Sequence, residues 1–231
     1  MQTLLSWGDQ GWLDDIFRGV LVTVQLALAT LPVGLLLGFL VALAKQSAEP
    51  TLRIAGSVYT TIFRGLPELL TLFLIYFGVA LPIFTYLFPG ASDQVTSFIA
   101  GMIALSLVFS SYASEVFLSA FRAIPRGQYE GGYSVGLSNG QTMRLVVLPQ
   151  LVRIALPGLS NLWLILLKDT ALVSAIGLAD ILRQTQIAAR VTKEAFLFFG
   201  FACLVYLVLA IISSYGIGQI EKAVGRQDMA K

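Results

Sequence analysis

Four stretches of this chain run without a single charge for long enough to cross a lipid bilayer, and few folds can accept that. Residues 19–44 and 195–220 each hold 26 uncharged residues, residues 69–92 hold 24 and residues 94–114 hold 21. A helix rises about 1.5 Å per residue, so about 20 residues cross the roughly 30 Å hydrocarbon layer. A fifth run, 154–178, is equally apolar but carries Lys168 and Asp169 in its interior. Lipid offers no partner to a bare backbone amide, so each run must satisfy its own hydrogen bonds. The runs are far longer than the roughly 10-residue alternating strands of a membrane barrel. The sequence therefore predicts an all-α integral membrane protein with five transmembrane helices, in one domain spanning residues 1–231.

Composition supports this. Only 12% of residues are charged, about half the share of an ordinary soluble domain, which leaves too little polar surface to face water all round. The chain has no histidine and one cysteine, Cys203. The first fact removes His-based acid–base catalysis, His-ligated haem and most zinc sites; the second removes an internal disulfide. Asp9, Asp14 and Asp15 precede the first run, where a cleavable signal carries positive charge. That run is expected to stay as a span.

Lys and Arg set the orientation. With five spans, one side holds Lys45, Arg53, Arg122, Arg126, Arg144, Arg153, Lys222, Arg226 and Lys231, and the other holds Arg18, Arg183, Arg190 and Lys193. The richer side is expected to be cytoplasmic, which places the N-terminus outside and the C-terminus inside. The longest polar connection, about 123–153, lies on that cytoplasmic side. A dominant cytoplasmic loop suits a cytoplasmic partner.

That loop reads as a short helix, a turn and a second helix. Pro125 starts the first, Gly136 and the Ser138-Asn139-Gly140 cluster make the turn, and Pro149 interrupts the second. Glu130, Gly136 and the pair Leu148-Pro149 stand at the spacing of the Glu-Ala-Ala loop, and here the chain resembles the permeases of type I ABC importers. It departs from that pattern at Gly131 and Gly132, where the family usually has Ala; two such changes cost an isolated helix about 2 kcal/mol. Three further segments resemble the polar amino-acid branch of that family: Arg64-Gly65-Leu66-Pro67 with Leu69-Leu70, Tyr112-Ala113-Ser114-Glu115, and Lys168-Asp169-Thr170-Ala171-Leu172-Val173-Ser174. The last, with Gly11-Trp12 near the start, resembles the histidine/arginine/lysine/opine group.

The resemblance implies a membrane permease in a bacterial inner membrane. Its partners would be a cytoplasmic ATPase dimer, a second permease subunit (a sister chain or another copy), a periplasmic substrate-binding protein and the lipid bilayer, with no nucleic acid. The loop residues Glu130, Gly131, Gly132, Gly136, Leu148 and Pro149 would dock on the ATPase. The chain contains no Gly-x-x-x-x-Gly-Lys-Ser/Thr phosphate loop, so it is expected to bind no cofactor itself, with ATP and Mg held by the partner.

Ionisable residues at membrane depth cost about 2.5–3.5 kcal/mol or more and mark sites to test for function. Asn161 and Lys168 are seven residues apart and share a helix face, with Asp169 about a quarter-turn away. Asp169, Thr170, Ser174 and Glu115 are expected to form a small polar cavity near the midplane, because a cationic amino acid needs carboxylates in place of its hydration shell. Lys168 could meet a substrate carboxylate or pair with an acid. Glu115 could instead pair with Arg122, and Arg64 with Glu68 one turn on. The substrate expected is a basic amino acid or opine, with glutamine and other polar amino acids as the alternative. An ATP-independent secondary transporter is the competing class; it calls for inverted repeats that the sequence does not display, and it leaves the cytoplasmic loop without a purpose.

Overall fold

The computed structural model describes residues 4–8, 11–88, 90 and 92–226; Asp9 and Lys231, used above, lie outside them. All regular structure among these residues is helical. Five helical stretches are long and apolar enough to cross a membrane, Leu13–Gln46, Glu68–Leu87, Asp93–Ala123, Asn139–Ile176 and Ala195–Val224. They correspond one for one to the five runs read from the sequence.

Helix α1 (Leu13–Gln46) runs 34 residues. Its glycines matter to packing. A Cβ on Gly34 would lie 2.5 Å from the Phe109 ring, and one on Gly38 would lie 2.8 Å from the Ala113 Cβ. The Gly-x-x-x-Gly spacing is thus a contact surface, where small residues let backbones approach. Its partner is α5 (Asp93–Ala123), the most buried helix of the fold. Phe39 of α1 adds an edge contact to Phe117 at 5.5 Å and a stack on Phe121 at 6.1 Å.

Between α1 and the second span lies α2 (Pro50–Gly65), which starts on its proline and buries only Gly56 and Thr60. Tyr59 anchors it on α5, donating to the Leu107 carbonyl at 3.0 Å and sharing a 2.6 Å hydrogen bond with Ser110. Leu66 and Pro67 are extended, so the chain breaks there and restarts as α3 (Glu68–Ile75). The second span then widens into a π turn at Tyr76–Ala80 before α4 (Leu81–Leu87).

The 123–153 loop, between the third and fourth spans, holds α6 (Arg126–Ser134) and α7 (Asn139–Thr142). Ser138 accepts from the Gln141 amide while the Gln141 side chain accepts from the Ser138 amide, a reciprocal cap on α7. Gly136 turns the chain at φ +83°, where any other residue is strained. A second π turn, Met143–Val147, precedes α8 (Leu148–Asp169). Each π turn is followed by Leu-Pro, Leu81-Pro82 and Leu148-Pro149. Proline lacks the amide that closes a helical turn and crowds the carbonyl four residues back, so a wider turn just before it relieves both.

The fourth span ends in a 3-10 turn (Thr170–Ile176) stopped by Gly177 at φ +89°. Asp180 then caps α9 (Ile181–Thr192), accepting from the Arg183 amide at 2.8 Å. A Cβ on Gly19 would lie 2.8 Å from the Asp180 carbonyl carbon, so that glycine lets α9 seat on α1. The fold closes with α10 (Ala195–Arg226), which packs on α9 and α8.

Candidate translocation site and coupling loop

The break at Leu66-Pro67 places Glu68 at the first position of α3, and the end of α8 places Asp169 opposite it. The two carboxylates line one cavity with Tyr112 of α5; the rest of the wall is apolar, from Leu105, Val108, Phe109, Leu162, Ile165 and Leu166. Residues 105–112 are the middle of α5, so the cavity lies about halfway along that helix, beside the start of the second span at Glu68. Two acids in an apolar recess repel one another and face a large desolvation cost. A cation held between them relieves both.

Of the four residues expected to share a midplane cavity, only Asp169 lines this one. Thr170 is buried within the 3-10 turn and donates to the Leu167 carbonyl at 2.7 Å, and Ser174 is buried further along that turn. Glu115 is committed elsewhere. Lys45 of α1 donates to its Oε1, and Arg64 of α2 lies 3.4 Å from the same oxygen. Lys45 also donates to Thr60 at 3.2 Å, and the Arg64 guanidinium lies over the Tyr112 ring at 5.5 Å. One carboxylate thus ties α1, α2 and α5 together. Arg64 pairs with Glu115 and not with Glu68, because the Leu66-Pro67 break turns the two residues apart, and Arg122 is not the partner of Glu115. Glu68 occupies the place that Glu115 was expected to take. The signal for it was present in the Arg64-Gly65-Leu66-Pro67 segment, as an acid directly after a proline at the start of an apolar run.

Asn161 and Lys168 do share a face, and it is exposed; Asp169, next in sequence, turns inward and is half-buried. Adjacent helical residues point about 100° apart, so Lys168 leaves the chain's own core while Asp169 enters the cavity.

In the 123–153 loop, Glu130 and Gly131 are exposed on α6 and Gly132 is buried. Gln128 of α6 accepts from Gln150 of α8 at 2.9 Å, and Gln150 also donates to the Val146 carbonyl at 2.9 Å. These bonds fasten the loop to the foot of the fourth span.

The family model for the binding-protein-dependent transport system inner membrane component matches residues 34–224. The chain belongs to this family. The matched stretch covers all five spans except the start of α1, and it includes the 123–153 loop and both cavity carboxylates. The permease is 39% identical over 231 residues to the nopaline transport system permease protein NocQ of Agrobacterium fabrum, covering 97% of each chain. It is 39% identical over 213 residues to the arginine ABC transporter permease protein ArtQ of Haemophilus influenzae, covering 91% of this chain and 93% of that one. Among solved structures it is similar to an amino acid ABC transporter crystallised with histidines, at a TM-score of 0.77 and 30% identity over 92% of this chain and 95% of the other. The permease is a multi-pass inner membrane protein of the ABC importer class, related to permeases for polar amino acids.

Proposed function

We propose that this permease carries basic amino acids or opines inward through an ABC importer, and that Glu68 and Asp169 hold the cationic group of the substrate in the cavity they line. The observation that carries this reading is the pair of carboxylates lining one otherwise apolar cavity. A guanidinium or ammonium group supplies a counter-charge for such a pair; the cavity is about 20 Å³ as it stands and must widen to admit one, and the Arg64 guanidinium already lies over the Tyr112 ring. The relatives named for arginine and nopaline transport support the same substrate class.

The layout supports the remaining parts of the reading. Glu130 and its neighbours on α6 present the surface for a cytoplasmic ATPase dimer, which binds the ATP and Mg; the permease has no phosphate loop of its own. The exposed Asn161–Lys168 face of α8 takes a second permease subunit, because a bare ammonium against lipid costs about 2.5–3.5 kcal/mol or more. A periplasmic binding protein delivers substrate to the side that carries α9. The Lys and Arg distribution supports an N-terminus in the periplasm and a C-terminus in the cytoplasm.

The test is ATP-driven uptake of labelled arginine into liposomes holding the permease with its partner subunits, with histidine, octopine and glutamine as competitors. Glu68→Gln and Asp169→Asn are each expected to lower arginine uptake about tenfold or more, the equivalent of at least about 1.4 kcal/mol of lost binding, with assembly intact. Arginine uptake at the parent level in both variants overturns the cavity assignment, and uptake of glutamine in preference to arginine overturns the substrate class.

A further inference from the structure

The coupling loop departs from its family pattern at Gly131 and Gly132, and the two glycines differ in their surroundings. Gly131 is exposed, and a Cβ there meets nothing within 4 Å. Gly132 is the buried residue of α6, and a Cβ there would lie 2.6 Å from Thr142 Cγ2, 2.7 Å from Thr142 Oγ1 and 3.2 Å from Thr142 Cβ. Thr142 is likewise the buried residue of α7, and it is fully buried. The two short helices of the loop therefore approach closely at Gly132, with a threonine seated in the gap left by a missing methyl group.

Thr142 cannot step aside. It is β-branched and stiff at χ1, and both of its heavy substituents crowd the Gly132 position. Turning it by one rotamer moves one of them away and leaves the other, or its replacement, in the same space. Its Oγ1 has no hydrogen-bond partner, so no polar contact explains its burial; its shape does. Thr142 is also the last residue before the π turn Met143–Val147 that leads into the fourth span. Gly132 in turn accepts from the Leu137 amide at 3.1 Å through its carbonyl, which closes the turn at Gly136. A displacement at the Gly132–Thr142 contact thus moves α6 relative to the foot of α8.

We infer that Gly132 and Thr142 form a size-matched positioning pair that sets the angle between the ATPase-docking helix and the fourth span, so that in this permease Ala at 132 uncouples ATP hydrolysis from transport unless residue 142 is made smaller. The inference rests on the proposed ATPase-docking role of α6.

The experiment compares four permeases in liposomes with the partner ATPase and binding protein: the parent, Gly132→Ala, the pair Gly132→Ala with Thr142→Ala, and the pair Gly132→Ala with Thr142→Val. Each is first checked for co-purification with the ATPase, and the readout is substrate transported per ATP hydrolysed. Gly132→Ala is expected to lower this ratio about tenfold; Thr142→Ala is expected to restore it to within about twofold of the parent, whereas Thr142→Val, which refills the space, is not, a coupling of the size found between residues in direct contact. A parent-like ratio for Gly132→Ala, or equal rescue by alanine and valine, overturns the inference. If Gly132→Ala no longer binds the ATPase, rescue of binding by alanine and not by valine supports the size match, and equal rescue overturns it. Absence of ATPase from the parent preparation instead overturns the docking role on which the inference rests, and co-purification of ATPase with the parent keeps that role separate from the identity of the substrate.

Discussion

Two acidic residues outside the cavity show how environment sorts carboxylates. Glu115 is balanced by Lys45 and Arg64 from two other helices. Glu115→Gln leaves two cations without an acid, and its expected effect is a lower melting temperature of the detergent-solubilised permease. The loss is about 1–2 kcal/mol, below that of a fully buried pair because a third of the Glu115 side chain is exposed. Asp169→Asn is expected to do the reverse, sparing stability and removing uptake. Asp180, between the fourth span and α9, is fully buried; one carboxylate oxygen caps α9 and the other has no partner. Burial pushes its carboxyl up to about 7 from an ordinary 3.8. The folded chain therefore keeps a proton that the unfolded chain sheds above pH 3.8. Its stability is expected to fall as pH rises from about 4 to about 7 and to level off above that. Asp180→Asn keeps an oxygen for the cap and is expected to flatten that slope; melting curves from pH 5 to pH 8 check it.

At the level of elements, the spans were legible because a long uncharged run admits one structure in lipid. The helices α2 and α9 were not, and for the same reason: absence of charge was the ruler, and Arg53 and Arg64 interrupt the one while Arg183 and Arg190 interrupt the other. Their signal is an apolar stripe at a 3.6-residue period, as in Ile54, Val58 and Ile62, three residues exposed on one side of α2. In the same way α1 begins at Leu13, six residues before the uncharged run, because Asp14, Asp15 and Arg18 suit the aqueous end of a helix. The loop was legible to the turn: the Gly136 reversal stands where the sequence put it, and of Ser138 and Asn139, both able to cap a helix, the structure uses Ser138. Helix α7 has four residues, too few to persist without help. Ser138→Ala removes its cap at a cost of about 1 kcal/mol. The expected result is faster amide exchange over residues 139–142, measured by hydrogen exchange, with the spans unchanged. Asp169 could be read from its charge at depth, but the meeting of Glu68 with Asp169 joins residues a hundred positions apart, and no local pattern encodes that.

Across the whole molecule, the uncovered faces differ in kind. The exposed side of α10 is apolar, with Leu204, Leu207, Val208, Ile211 and Ile212, and hydrocarbon can lie against it at no cost. The exposed side of α8 carries Asn161 and Lys168, and hydrocarbon cannot. With the exposed Cys203 replaced by serine, Asn161→Cys is therefore expected to cross-link to a second permease subunit in the membrane. Products at monomer mass only, from an assembled and active transporter, count against that face. The π turn at the foot of the fourth span has a further consequence. It adds one residue to a turn, so the azimuth of every side chain beyond it is advanced by about 100° relative to an unbroken helix. Such a turn behaves like a dislocation in a crystal. Placed between Thr142 and Pro149, that defect sets which face of the fourth span each side chain beyond it occupies, and the proline after it holds it in place.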